Sequence, residues 1–196
     1  MKMKSQAGFS LAETLVAILI LLLVSVIVAN GVPVAQNAYE KVVVGANAKV
    51  LLSTTISALR DQLATARDVS VSTSNEVTYF DADNGATSKI YRDTNTPKQI
   101  MIQEYIDLSP VPDAAGKYSV LQTVPSRALV AMVKTNAGSL YATYDSVVMG
   151  SSTSSTTEQD TITFNKLAVY KGTDTTNALA SVDEFTIRFI KPIPVS

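Results

Sequence analysis

Apolar and polar positions divide the chain into three regimes. From Phe9 to Ala29 nearly every side chain is apolar, and Glu13 is the one ionisable residue among 21. At about 1.5 Å per residue, a helix of that length reaches roughly 32 Å, enough to cross the hydrocarbon core of a bilayer. Helix is the expected form, because lipid offers no partner for unpaired backbone groups. Asn30-Gly31-Val32-Pro33 then interrupts the run. Pro33 lacks a backbone donor and crowds the preceding turn, which predicts a kink or locally loosened helix at Gly31 and Pro33. Past this point Val34, Ala38, Val42, Gly45, Ala48, Leu52, Ile56, Leu59, Leu63 and Ala66 recur at a mean step of about 3.6 residues. Arg60, Asp61 and Arg67 lie off that stripe. The pattern predicts one amphipathic helix from about Val34 to Arg67, its stripe buried as core and its second half lying on a sheet.

From Val69 onward the sequence turns to strands. Glu76–Phe80 and Ser88–Arg92 flank the turn cluster Asp81-Ala82-Asp83-Asn84-Gly85, which predicts a hairpin. The same cluster fails as a calcium loop, since its glycine comes one position early and no Glu stands twelve along. A third strand, Gln99–Tyr105, follows the turn signal Asn95-Thr96-Pro97, and Leu108 to Pro125 reads as a Pro-rich connection. The second group of expected strands comprises Arg127 to Lys134, Ser139 to Met149, Thr161 to Tyr170 and Glu184 to Ile190, with Asn136-Ala137-Gly138 joining the first two. In the last of them Phe185, Ile187 and Phe189 alternate with Glu184, Thr186 and Arg188, as on a half-buried strand with its aromatics in the core. Gly150 to Thr157 is a low-complexity polar stretch expected as a long hairpin loop. The tail Lys191–Ser196 is too rich in proline for a central strand. The fold class expected is α+β: a long N-terminal helix, membrane-spanning in its first half, packed on an antiparallel β head.

Composition narrows the picture. Acids and bases nearly balance, 17 against 16, and the chain has no His, no Cys and no Trp. Without cysteine there are no disulfides, so a head of this size must rest on an ordinary apolar core. Met1 to Gly8 carries two lysines and no acid. By the positive-inside rule this end stays cytoplasmic and everything after Ala29 is exported. A carboxylate within the apolar run costs roughly 2.5 to 3.5 kcal/mol on insertion scales, so Glu13 invites a functional explanation.

The string Gly8-Phe9-Ser10-Leu11-Ala12-Glu13-Thr14-Leu15, read with the apolar run behind it, resembles the N-terminal signature of type IV pilins and pseudopilins. That resemblance covers about residues 1 to 30. It implies cleavage between Gly8 and Phe9 by a membrane prepilin peptidase on the cytoplasmic side, then N-methylation of Phe9. Glu13 becomes the fifth mature residue, placed to meet the terminal ammonium of a neighbouring subunit and to help set the axial stagger. Gly31 and Pro33 match the helix-breaking residues that such chains commonly carry at this depth. The implied division is a cytoplasmic leader over 1–8, a transmembrane and filament-core helix over 9–30, an amphipathic helix over 31–68 and a β head over 69–196. The exit Leu63, Ala66, Val69 followed by the meander is similar to the J or W subgroup of minor pseudopilins. Absent cysteines depart from the many major pilins that close a C-terminal loop with a disulfide. A conventional signal peptide cut after Ala29 is the competing reading. The apolar run is longer than the usual h-region, and Glu13 would interrupt it.

Catalysis finds little support in these residues. The commonest general base, the commonest thiol nucleophile and the usual zinc ligands are all missing, and no phosphate or dinucleotide fingerprint appears. No enzyme activity and no cofactor are expected. Removal of residues 1 to 8 would leave 14 bases against 17 acids, a net of −3, which gives no strong signal for nucleic acid. A late group of cations, Lys166, Lys171, Arg188 and Lys191, is the one candidate patch. The leading expectation is a structural subunit, a minor pilin or pseudopilin, of a type IV pilus, secretion or DNA-uptake filament. Its partners would be the membrane, the peptidase, other subunits through the N-terminal helix and an inner-membrane assembly platform. It would reside first in the cell membrane as a single-pass protein, then in a pilus or at the cell surface. The alternatives are a tip subunit whose head binds a surface, DNA or a secreted substrate, and a membrane-anchored exported domain unrelated to pili.

Overall fold

The computed structural model describes residues 10–81, 86–95, 98–107, 121–136, 138–152 and 159–190. One helix, α1 (Leu11–Ala64), is followed by eleven strands among these residues. The chain forms two compact units, one up to Val43 and one from Val44 onward.

In the first unit, α1 presents apolar side chains on every side, from Leu11 to Val34, all of them exposed. Thr14 and Ser25 turn their hydroxyls back onto the carbonyls of Leu11 and Leu21, at 2.9 and 2.8 Å, so neither leaves a free polar group on that surface. The expected interruption at Asn30–Pro33 is not a gap in secondary structure, because α1 runs through it with Pro33 inside. Pro33 deprives the Ala29 carbonyl of its usual i−4 donor, and the helix continues on either side of this one missing bond.

The second unit begins with the last turns of α1, where Val44, Ala48, Leu51, Leu52, Thr55, Leu59 and Leu63 are buried. The expected stripe is therefore core only from about Val44 onward. Val34 and Val42, which belong to the first unit, are about 70% exposed. The helix also stops earlier than expected. It ends at Ala64, and Ala66, the last position of the stripe, is buried in β1 (Ala66–Val71).

Two antiparallel sheets complete this unit. The first has the order β1, β2 (Val77–Asp81), β3 (Ala86–Arg92), β4 (Ile100–Asp107) and β5 (Leu121–Thr123), with the short β6 (Arg127–Ala128) also paired to β4. The hairpin expected around residue 84 is present as β2 and β3, in register from Val77↔Ile90 to Asp81↔Ala86. Its connecting residues 82–85 lie outside the described residues, as do most of the Pro-rich stretch, residues 153–158 and the tail. The second sheet has the order β11 (Ala180–Ile190), β10 (Gln159–Lys171), β8 (Gly138–Thr143) and β7 (Val133–Thr135), and β9 (Ser146–Ser152) pairs with β10. One expected strand, Arg127 to Lys134, is divided between the two sheets as β6 and β7. A second, Ser139 to Met149, is divided into β8 and β9 at Tyr144 and Asp145.

That second division marks a line across the sheet where inward and outward positions exchange. Core residues run Leu140, Ala142, Tyr144 and then Val147 on β8 and β9, and Ile162, Phe164 and then Leu167, Val169 on β10. Lys166, between the two halves of β10, holds the left-handed φ of 54° that lets the parity change. β11 keeps its expected face, with Phe185, Ile187 and Phe189 buried opposite Ile162 and Phe164.

A single apolar cluster joins the helix stripe to both sheets. Polar contacts fix its edges. Tyr79 on β2 donates to Gln62 Oε1 of α1 at 2.8 Å, and Arg60 lies over the Phe185 ring of β11. Between the sheets, Asn75 takes a left-handed turn that Asn tolerates well. Its carbonyl accepts from the Tyr144 hydroxyl at 2.7 Å, and its side chain accepts from the Val147 amide. Burial pushes the Tyr79 and Tyr144 phenols far above their ordinary 10.0, because the phenolate cannot be solvated there. The neutral forms hold the fold, so their contribution is complete below pH 10 and is lost as pH rises beyond it. Denaturant midpoints measured from pH 8 to 12 should fall steeply above about pH 10. Tyr144→Phe should cost roughly 1–2 kcal/mol at pH 8 and flatten that alkaline decline.

Candidate processing and assembly site

The N-terminal end of α1 is built on Ser10. Its carbonyl accepts the Glu13 amide at 2.9 Å and the Thr14 amide at 3.2 Å, closing the first turn. Glu13 therefore stands in that first turn, where the positive end of the helix favours a carboxylate. One and two turns further on, Val16, Ala17 and Ile20 occupy its face, and all are exposed and apolar. Among the described residues Glu13 makes no ion pair. Chemically the site is a lone anion on an apolar helix, suited to one cationic partner in a poorly solvating medium. Gly8 and Phe9, the expected cleavage pair, lie outside the described residues.

Gly31 and Pro33 sit on the same continuous helix. A side chain at Gly31 would meet nothing within 4 Å, so packing within the chain does not require glycine there. What the pair changes is backbone stiffness, since glycine disfavours helix and proline removes a bond. Tyr39 and Val50, which lie off the expected stripe, are exposed together with Val34 and Val42. The helix thus carries apolar surface outside its stripe, which a period count centred on one face could not reveal.

By length and composition α1 can cross a membrane. Residues 3–29 match the family model of the prokaryotic N-terminal methylation motif. The chain carries the prepilin signal of type IV pilins and pseudopilins. No curated protein and no solved structure matches the chain. The prepilin motif spans the first turn built on Ser10, includes Glu13, and ends at Ala29 within the helix. The motif supports a pilin-like exported subunit, and the long apolar helix is consistent with membrane anchoring.

The missing bond at Pro33 gives a local test. In the full chain in neutral detergent, Pro33→Ala should restore the donor to the Ala29 carbonyl. Amide exchange between about residues 29 and 37 should slow by roughly tenfold or more, with protection of the Val44–Ala64 segment unchanged. Equal exchange in the two proteins would show that Pro33 does not soften the helix.

Proposed function

We propose that this chain is a filament subunit, a pilin or pseudopilin of a type IV pilus, type II secretion or DNA-uptake machine. The observation that carries this reading is the prepilin motif lying on a helix whose apolar residues from Leu11 to Val34 are exposed among the described residues. A leader of residues 1–8 is removed by the prepilin peptidase after Gly8, and Phe9 becomes the methylated terminus. The uncovered helix first resides in the membrane, with the basic leader on the cytoplasmic side, and then packs against the helices of other subunits on the assembly platform.

Glu13 acts at the transfer from membrane to filament. The Phe9 ammonium of one subunit neutralises the Glu13 carboxylate of its neighbour, replacing the solvation that lipid denies to both. Because a single atom pair is matched in each contact, the same interaction fixes the axial offset between subunits. Gly31 and Pro33 provide the stretch where the helix loosens when subunits pack, and exposed Val34, Tyr39, Val42 and Val50 supply apolar surface for neighbouring helices.

Glu13→Ala separates processing from assembly. In the native host the variant should still be cleaved and retained in the membrane. Its amount in sheared surface filaments should fall by about tenfold or more, as expected when a buried charge loses its partner. Filament incorporation at the wild-type level would contradict the role given to Glu13. Absence of the wild-type chain from every filament fraction would contradict the subunit reading itself.

A further inference from the structure

The second unit holds a cleft of about 230 Å³ at the line where β8 gives way to β9 and Lys166 turns left-handed. Arg92 from the end of β3, Lys98 ahead of β4 and Lys166 on β10 line it, and Asp145 is the one acid among its lining residues. Three cations against one anion leave a local balance of +2 in a chain whose overall balance is negative. Lys98 and Lys166 form no ion pair among the described residues. Arg92 is held in place through Nη1, which donates to the Tyr144 carbonyl at 3.0 Å and the Asp145 carbonyl at 3.4 Å. Its approach to the Asp145 carboxylate is loose, 3.9 Å, and that carboxylate is 68% exposed.

The decisive feature is Thr143, which also lines the cleft. Its residue is 9% exposed, and its buried hydroxyl has no hydrogen-bond partner among the described residues. Buried hydroxyls are nearly always satisfied, so an orphan beside a cleft lined by unpaired cations marks a missing acceptor.

We propose that this cleft binds a compact oxyanion, a phosphate- or carboxylate-bearing small ligand, between Arg92, Lys98 and Lys166, with Thr143 as a neutral donor. Guanidinium, ammonium and hydroxyl donors converging on one space are the chemistry that recognises such groups. The small volume and the single cluster favour a compact anion over a tracked polymer, which needs cations repeated along a face. Of the late cations read from the sequence, Lys166 belongs to the site, and Arg92 and Lys98 complete it from the other sheet. The inference is independent of the filament reading, since every residue it uses lies in the β head.

The test uses the full chain in neutral detergent, titrated with inorganic phosphate and with glucuronate, and with glucose as the uncharged control. Saturable binding of phosphate, glucuronate or both, with none of glucose, is expected, and which of the two binds more tightly identifies the kind of oxyanion. Lys98→Gln and Lys166→Gln, both at exposed positions, should each weaken binding about tenfold, and Thr143→Val should weaken it too. Asp145→Asn should strengthen it by removing the competing carboxylate. Arg188→Gln, on the exposed face of β11, should leave it unchanged and controls for total charge. No saturable binding of either anion up to about 50 mM, equal loss in Arg188→Gln, or binding of duplex DNA in place of small anions would overturn the proposal.

Discussion

Everything in this molecule depends on the apolar surface that its N-terminal helix leaves exposed among the described residues. Fifteen large side chains from Leu11 to Val34 are exposed. Each would contribute roughly 1.5–3 kcal/mol if fully buried. A surface of that size cannot remain in water, and lipid or other helices are the media that remove it. The polar exceptions follow from the same constraint. Thr14 and Ser25 satisfy their hydroxyls on the helix backbone, and Glu13 stays within the first turn, where the positive helix end favours a carboxylate.

The same helix meets a different demand beyond Val44. There its buried face, from Ala48 to Leu63, supplies the one helical component of a core otherwise made by two sheets. Without cysteine the head has no covalent staple. Its integrity rests on this cluster and on a few bonds that tie the sheets together at Asn75, Tyr144 and Arg92. These bonds gather at the parity change in the second sheet, and so does the cationic cleft. The ladder sets Ala168 opposite Thr143, so Lys166 and Asp145 fall two residues further along the two strands and line the same cleft.

Much of this was legible in the sequence, and what was hidden has identifiable causes. Continuous apolar sequence with one carboxylate reports a membrane-type helix directly, and the 3.6-residue period reports the packed half, because both depend on neighbours close along the chain. The hairpin at β2 and β3 was visible for the same reason. The run Ala128 to Val133 carries no turn residue, so nothing local told that its two ends join different sheets. Asp145-Ser146 is a weak turn signal inside an otherwise strand-like run and is easily passed over, and Lys is not a residue that announces a left-handed backbone. Stripe positions Val34 and Val42 have the right period but are exposed, since periodicity shows a face and not what covers it. The cleft was half visible through Lys166. Arg92 and Lys98 lie about 70 residues earlier and come to it from the end of β3 and the segment ahead of β4, with Arg92 tied across to the Tyr144 carbonyl.

The account stands most directly on the mature N-terminus, which the intact mass of the chain recovered from native membranes and from sheared surface filaments would reveal. The account predicts loss of residues 1–8 and a single added methyl on Phe9 in both fractions. A product beginning at Asn30 would make the apolar run a discarded signal peptide, and an uncut chain in its native membrane would make it a plain anchor. Either result would contradict the assignment of this helix to a filament.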